Sequence, residues 1–395
     1  MSDAPLRVLV IAPTPFFGDR GCHVRIYEEV RGLAKLGIDC RIVTYSSGRD
    51  LPDVSIERAP RLPGVRPGAL GPSLGRPLLD VSLLQASWRV ARKFKPHLLH
   101  GHLHEGIAIG AAVRARYRIP LIADLQGSLT AELADHGFLF DGGVAARVVR
   151  GIESWLVRRP DRILTSSHHG VTLLKSQGVR PEKIEPLPDG VDLDVFCPQP
   201  SDPDIRARLK LDKKRVVVFL GVLTAYQGVD LLLDAVPLVV RSEPNVHFVV
   251  MGYPNEEHYR AIARARGLEG HVTFTGRVPY ADASRWLSVG EVAVSAKRSL
   301  TEANGKLLNY MACGLPVVAS DIPVNRELLG DAGVYAPVGD STALGSCIVE
   351  LLRDRARAHV VGTTLRRRAE AMFAWPVLTR RLAAFYREVL KAVSR

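Results

Sequence analysis

Cysteine is scarce in this chain. The five cysteines among its 395 residues (Cys22, Cys40, Cys197, Cys313 and Cys347) are odd in number, far apart and never paired as CxxC. That excludes a zinc module built on cysteine pairs and a disulfide framework, and leaves them as small buried apolar side chains. No apolar run approaches the ~20 residues that a membrane-spanning helix needs. Six residues precede the first strand-like run in "MSDAPLRVLVIAP" and lack a signal-peptide shape, so a cytoplasmic location is expected. RNA-recognition signatures, zinc fingers and basic zippers are also missing, and nucleic acid is not expected as a partner. The first strand is not followed by GxGxxG, nor is an acidic residue placed as a dinucleotide fingerprint requires, which argues against NAD.

What is present is a globular composition, 47% hydrophobic and 24% charged. The balance of 53 Lys and Arg against 41 Asp and Glu gives a net charge of +12. Anionic partners follow: phosphate-bearing ligands or an acidic membrane face. The length predicts two domains of roughly 180–200 residues. Short β-branched runs (Arg7–Ala12, Cys40–Tyr45, Arg215–Gly221, His247–Gly252, Pro316–Ser320) alternate with amphipathic stretches such as Val24–Leu36, Val81–Phe94 and Val229–Val240. Most of the runs are continuously apolar, as parallel strands covered on both faces are. The expected fold class is α/β, with two Rossmann-like doubly wound parallel sheets facing across a cleft. "DVFCPQPSDPD" (194–204) reads as the linker. The stretch 58–77, with five prolines, four glycines and four arginines, reads as a long loop that covers an acceptor, touches a membrane or is simply solvated.

In such folds the functional residues follow the strands. After the first strand, Gly18 and Gly21 lead into a helix expected to start near Cys22 or His23, whose amides could hold an anion or hydroxyl. "HLLHGHLHEG" carries His100, His102 and His104, read as polar cleft residues. A catalytic metal is not expected there, because alternate residues share a face only while the strand continues and no second acidic cluster completes a site. Gln126, after another strand, both donates and accepts hydrogen bonds and suits sugar hydroxyls. Gly221 and Gly228 bracket a loop before a helix, with Gln227 among its few polar side chains and no cation. Cations appear instead at Lys297, Arg298 and Lys306, around Glu302, a set that fits a phosphate-plus-sugar pocket or a solvated charged loop. A glycosidase needs two carboxylates across the bond, and Glu302 has no convincing partner.

"PDGVDLDVF", "GVLTAYQGVDLLLDA" and above all "EANGKLLNYMACGLPVVAS" resemble the retaining glycosyltransferases of family four, with the GT-B fold. The closing "FAWPVLTRRLAAFYREVL" is similar to that family's final helix, which crosses back to the first domain. The resemblance implies an acceptor-side domain at 1–196, a donor domain at 197–374 and the returning helix at 375–395. It implies that Glu302, the first glutamate of the E-x7-E motif, binds donor-sugar hydroxyls, with the elbow Asn304–Gly305 beside it and Asn309 at the ribose position. Arg277, in "FTGRVPY", falls in the loop beside the nucleobase. Val222 and Gln227 stand where the family has its diphosphate-binding arginine and lysine, and Lys297, Arg298 and Lys306 are expected to compensate. Gln126 replaces a frequent histidine, and with Glu302 forms the expected catalytic pair.

The implied reaction moves a hexose from a UDP- or GDP-sugar to a glycan, lipid-linked or small-molecule acceptor. Anomeric configuration is retained, and neither cofactor nor metal is required. The alternative is a non-catalytic GT-B protein with a degenerate donor site. In "ASWRVARKFK" (86–95), Arg89, Arg92 and Lys93 share a helix side near Trp88 and Phe94, either as a solvated face or as one that rests on an anionic membrane.

Overall fold

The structure, a computed structural model, describes residues 5–18, 21–63, 75–135, 143–299 and 303–393. It divides into two compact units, Met1–Asp189 with Thr301–Ala303 and Trp375–Arg395, and Gly190–Leu300 with Asn304–Ala374.

The strands of the first unit are β1 (Arg7–Ala12), β2 (Asp39–Thr44), β3 (Ser55–Arg58), β4 (Leu98–His102), β5 (Leu121–Leu125), β6 (Arg162–Thr165) and β7 (Ile184–Pro186). They form one parallel sheet in the order β3-β2-β1-β4-β5-β6-β7. The second unit contributes β8 (Arg215–Leu220), β9 (Val246–Met251), β10 (Val272–Gly276), β11 (Val292–Ser295), β12 (Val317–Ser320) and β13 (Val334–Ala336). Their order, β10-β9-β8-β11-β12-β13, is again parallel throughout. Each sheet reverses direction beside its first strand, and that switch point opens a crevice at the carboxyl ends.

The apolar runs become strands because both of their faces are covered. In β1, Val8 and Val10 join a cluster with helices Gly21–Lys35 and Trp375–Val393, while Leu9 and Ile11 join another with Arg76–Phe94 and Leu103–Tyr117. In β8, Val217 and Phe219 pack on one side and Val216 and Val218 on the other. Strand β3 escapes the sequence reading because "SIER" is a half-exposed edge with a single apolar residue. The long loop expected at 58–77 is shorter than that. Its first residue ends β3, and helix Arg76–Phe94 begins at its far end with Pro77 in the first turn, where a missing N–H costs little. Residues 64–74 of that stretch lie outside the described residues.

The segment read as a linker is built into the second unit. Phe196 is fully buried, Asp192 Oδ1 accepts from Asp194 N and Val195 N, and Asp202 caps helix Pro203–Arg208 through Ile205 N. The C-terminal helix Trp375–Val393 packs in the first unit through Trp375, Leu378, Leu382, Phe385, Tyr386 and Val389. It passes so close to helix Gly21–Lys35 that a Cβ on Gly32 would lie 2.9 Å from Thr379 Cβ and Oγ1. Gly32→Ala should therefore destabilise by about 1–3 kcal/mol in urea unfolding, with partial recovery in the double variant carrying Thr379→Ser. Serine removes the methyl group while keeping the hydroxyl bond to Trp375 O (2.8 Å).

His247 in β9 carries a pH dependence. Burial outweighs a backbone hydrogen bond at Gly270 and, with Lys214 and His271 nearby, pushes it down to about 4, and its Nε2 meets Thr273 Oγ1 at 2.8 Å. The unfolded chain takes up this proton near the ordinary pKa of about 6.5, whereas the folded chain resists until about 4. The contribution of this group is complete above pH 6.5 and falls as the pH drops towards 4, by about 3 kcal/mol in all. In His247→Asn that part of the slope should disappear from chemical melts taken across the interval.

Candidate functional site

In the second unit, the loop after β8 is shaped by its glycines. Gly221 has φ +151°, and a Cβ there would lie 2.7 Å from Lys306 Nζ. Gly228, at φ +77°, begins helix Val229–Ser242, and a Cβ would overlap the Ala296 carbonyl. Only glycine meets both demands. The loop contains no cation of its own, but Lys306, at the start of the helix that follows β11, enters it. Its ammonium donates to Gln227 Oε1 at 2.7 Å and stands 4.4 Å from the Phe219 ring centroid. The short helix Lys306–Ala312 is held to the end of β8 by Tyr310, whose hydroxyl accepts from Leu220 N at 2.7 Å.

The other expected donor-side residues divide. Arg298 is exposed, and its backbone N–H donates to Tyr226 O at 2.9 Å, tying its segment to the same loop. Lys297 is fully buried. Asn304 is buried as well, and its amide donates to Ser295 Oγ (3.0 Å) and Asn325 Oδ1 (2.6 Å). Its side chain braces the elbow from below. Gly305 directly precedes the helix, and Asn309 is half-buried on it. Arg277 is exposed after β10, its guanidinium 5.3 Å from the Tyr253 ring centroid. Glu302 lies outside the described residues.

In the first unit the helix starts at Gly21, before Cys22, and Gly18 sits against the His23 ring. Gln126 follows β5, and its buried Nε2 has no hydrogen-bond partner among the described residues. It borders a pocket of about 10 Å³, the space of one water, lined also by His104, Glu153, Ser166, Ser167 and Gly170. Glu153 shapes that corner by accepting from Ser128 Oγ (3.2 Å), Leu129 N (3.1 Å), Thr130 N (3.1 Å) and Thr130 Oγ1 (2.5 Å). Burial opposes its charge, but hydrogen bonds from His104 and Thr130 outweigh it and hold the carboxyl at about 2.

The histidines depart most from expectation. His100 and His102 are 1% and 0% exposed, in the interior where a cleft wall was expected, and His104 is buried with its Nε2 3.4 Å from Glu153. Strand β4 continues to His102, so His100 and His102 share one face. The missing acidic groups are supplied by Glu29 of helix Gly21–Lys35 and Asp124 of β5, far away in sequence. Among them Arg25 contacts Asp124 (2.9 Å), Asp189 (2.9 Å) and Glu29 (3.0 Å), and donates to Leu187 O (3.1 Å). Burial alone would lower the Arg25 pKa, but the three carboxylates hold it above the ordinary range. Burial likewise opposes charge on Asp124, yet Arg25 and the histidines keep its pKa below the usual carboxylate range. Glu29 moves the other way, because burial and its acidic neighbours exceed the pull of Arg25. Burial and the neighbouring His100 push His102 down.

Comparison with known proteins agrees with this architecture. Residues 20–190 match the family described as "Glycosyl transferase 4-like domain", and residues 214–354 match "Glycosyl transferases group 1". The D-inositol 3-phosphate glycosyltransferase of Thermobispora bispora is 26% identical over 406 residues, covering 96% of this chain and 93% of the relative. The phosphatidyl-myo-inositol mannosyltransferase of Mycobacterium leprae is 31% identical over 215 residues, 53% of this chain and 54% of that one. Among solved structures, sucrose-phosphate synthase from Thermosynechococcus elongatus superposes with a TM-score of 0.83 at 18% identity, covering 98% and 100% of the two chains. Anabaena HepE in complex with UDP and glucose gives 0.80 at 18%, covering 97% and 100%. Two parallel α/β sheets in the GT-B arrangement, matched by two glycosyltransferase models that between them span both units, place this chain in family four: it is a retaining hexosyltransferase that takes its sugar from a nucleotide-sugar donor.

Proposed function

We propose that the second unit binds a UDP- or GDP-hexose with its diphosphate on the Gly221–Gly228 loop, Lys306 replacing the cations that the loop lacks. The observation that carries this is the Lys306 ammonium, 2.7 Å from Gln227 Oε1 inside a loop whose glycines leave the backbone open to a ligand. The amides at the start of helix Val229–Ser242 add a positive dipole end. Arg298 supplies a further exposed cation beside Tyr226. In this reading Glu302 holds donor-sugar hydroxyls, Asn304 and Gly305 set the elbow, Asn309 bonds the ribose and Arg277 stands beside the base. Gln126, with an unpartnered Nε2, meets the acceptor. The departing diphosphate takes the acceptor's proton on the same face of the sugar, while Lys306 and the loop amides stabilise the charge that develops on it.

A lipid-linked or polyol acceptor fits best, since relatives carry inositol-phosphate and phosphatidylinositol names. Two helix faces support contact with an anionic membrane. On Arg76–Phe94, Leu78, Val81 and Trp88 are exposed beside Arg89, Arg92 and Lys93, whereas Phe94 is buried in the core. On Val144–Leu156, which the sequence reading passed over, Val144, Val148, Ile152 and Trp155 face solvent, and Arg159 stacks on Trp155 at 4.1 Å. No described helix is long and apolar enough to cross a membrane. Such faces lie on a bilayer through apolar insertion and attraction to anionic headgroups.

A thermal-shift screen against UDP, GDP, ADP and their sugars tests the donor reading. One nucleotide series should raise the midpoint, and no shift with any of them would favour a non-catalytic GT-B protein. Flotation with liposomes should depend on anionic lipid and be lost in Ile152→Ser/Trp155→Ser. Absence of flotation with either lipid would remove the membrane reading.

A further inference from the structure

We infer that the first unit contains a structural site for a divalent transition metal of the zinc class, formed by Glu29, His100, His102 and Asp124. One ligand atom from each lies within 4.8 Å of all the others, and every one of these side chains is at least nine-tenths buried.

Unmet bonding is the independent observation. His100 Nε2, both ring nitrogens of His102, Glu29 Oε2 and Asp124 Oδ1 are buried with no hydrogen-bond partner among the described residues, while Glu29 Oε1 has only its ion pair with Arg25. Each such atom costs about 1–3 kcal/mol if left bare, so a cluster of them facing one point calls for an occupant. Charge points the same way: among the described residues Arg25 faces three carboxylates, Glu29, Asp124 and Asp189, so this buried cluster holds more acidic groups than cations.

The spacings fit a common metal. His100 Nε2 lies 3.7 Å from Asp124 Oδ2 and His102 Nε2 lies 3.7 Å from Glu29 Oε2; His102 Nδ1, 3.9 Å from Asp124 Oδ2, is the other nitrogen of that ring and would not bind the same ion. Two ligands about 2.0–2.1 Å from a tetrahedral zinc stand about 3.4 Å apart, so the 3.7 Å pairs close by a few tenths of an ångström and the widest pairs, within 4.8 Å, by about an ångström or more. Those separations are too long for direct hydrogen bonds. Two imidazoles and two carboxylates form a nitrogen-and-oxygen donor set suited to zinc and its first-row neighbours.

The surrounding contacts also suit a metal. Tyr386 Oη lies 2.7 Å from His100 Nδ1, so a proton on Nδ1 leaves Nε2 with its lone pair towards the cluster. Arg25 holds Asp124 and Glu29 from the side as an outer partner. The ion would join helix Gly21–Lys35, β4 and β5 and, through Tyr386, the C-terminal helix. Its role is to hold the first unit together, and no step of sugar transfer passes through it.

The full-length protein, purified without chelator and desalted, should retain close to one zinc-class ion per chain by elemental analysis. After chelation, Co2+ alone should restore one equivalent with the visible bands of a four-coordinate site and raise the unfolding midpoint. Glu29→Gln and His102→Gln, checked for fold by circular dichroism, should each bind Co2+ at least tenfold more weakly. Tyr386→Phe should keep the stoichiometry and lose about 10–100-fold in affinity. Folded wild-type protein without a retained ion, Co2+ bands or a stability gain would overturn the inference, and so would Co2+ binding unchanged in Glu29→Gln and His102→Gln. Because the readouts are metal content, spectrum and unfolding, their failure leaves the donor-site reading untouched.

Discussion

Lys306→Glu lowers nucleotide-sugar affinity by about a hundredfold or more, measured by calorimetry with the donor that the thermal screen selects. Removing one charge-assisted contact to a phosphate costs about 1.5–3 kcal/mol, and reversing the charge adds repulsion of similar size. The effect is concentrated in one residue because the 221–228 loop has no cation of its own and the Lys306 ammonium reaches Gln227 in it. Lys306→Gln should fall between wild type and Lys306→Glu. Arg298→Glu should cost less, since Arg298 is exposed and its charge is partly screened by solvent. Affinity unchanged in both Lys306→Glu and Arg298→Glu would mean that the diphosphate is held elsewhere.

Arg25→Met removes about 3–5 kcal/mol from the stability of the first unit, the usual cost of breaking a buried charge cluster from one side. The guanidinium is 1% exposed and satisfies Asp124, Asp189 and the Leu187 carbonyl at 2.9–3.1 Å. Methionine fills much of the same volume, so the loss reports on stranded carboxylates and not on a cavity. Arg25→Lys keeps the charge but not the planar fork, and should recover only part of the loss. Urea unfolding followed by tryptophan fluorescence, with circular dichroism for the whole chain, measures the difference. A change under about 1 kcal/mol would show that the carboxylates find other partners, against the cost expected for buried unpaired charge.

The strands were legible because a parallel strand covered on both faces leaves little choice but a run of Val, Ile and Leu, as "RVLVIA" and "RVVVFL" show. The edge strand "SIER" was not, since one covered face demands only one apolar residue. The 221–228 loop was legible in its glycines, which are backbone requirements and therefore visible in sequence. Helix Val144–Leu156 shows another limit. Its periodicity signals two faces, but here Ala146, Glu153 and Leu156 are buried while larger apolar residues face solvent.

Sequence alone determined the α/β class, the doubled Rossmann pattern and the segment around Lys306, because these depend on local periodicity, turn chemistry and contiguous motifs. Tertiary structure decided what Lys306 and the histidines do. The ammonium enters the 221–228 loop only because Tyr310 holds its helix to the end of β8. His100 and His102 acquire Glu29, Asp124, Arg25 and Tyr386 only where a helix, two strands and the C-terminal helix converge. Charges so far apart in sequence interact strongly because burial removes the water that would otherwise separate them.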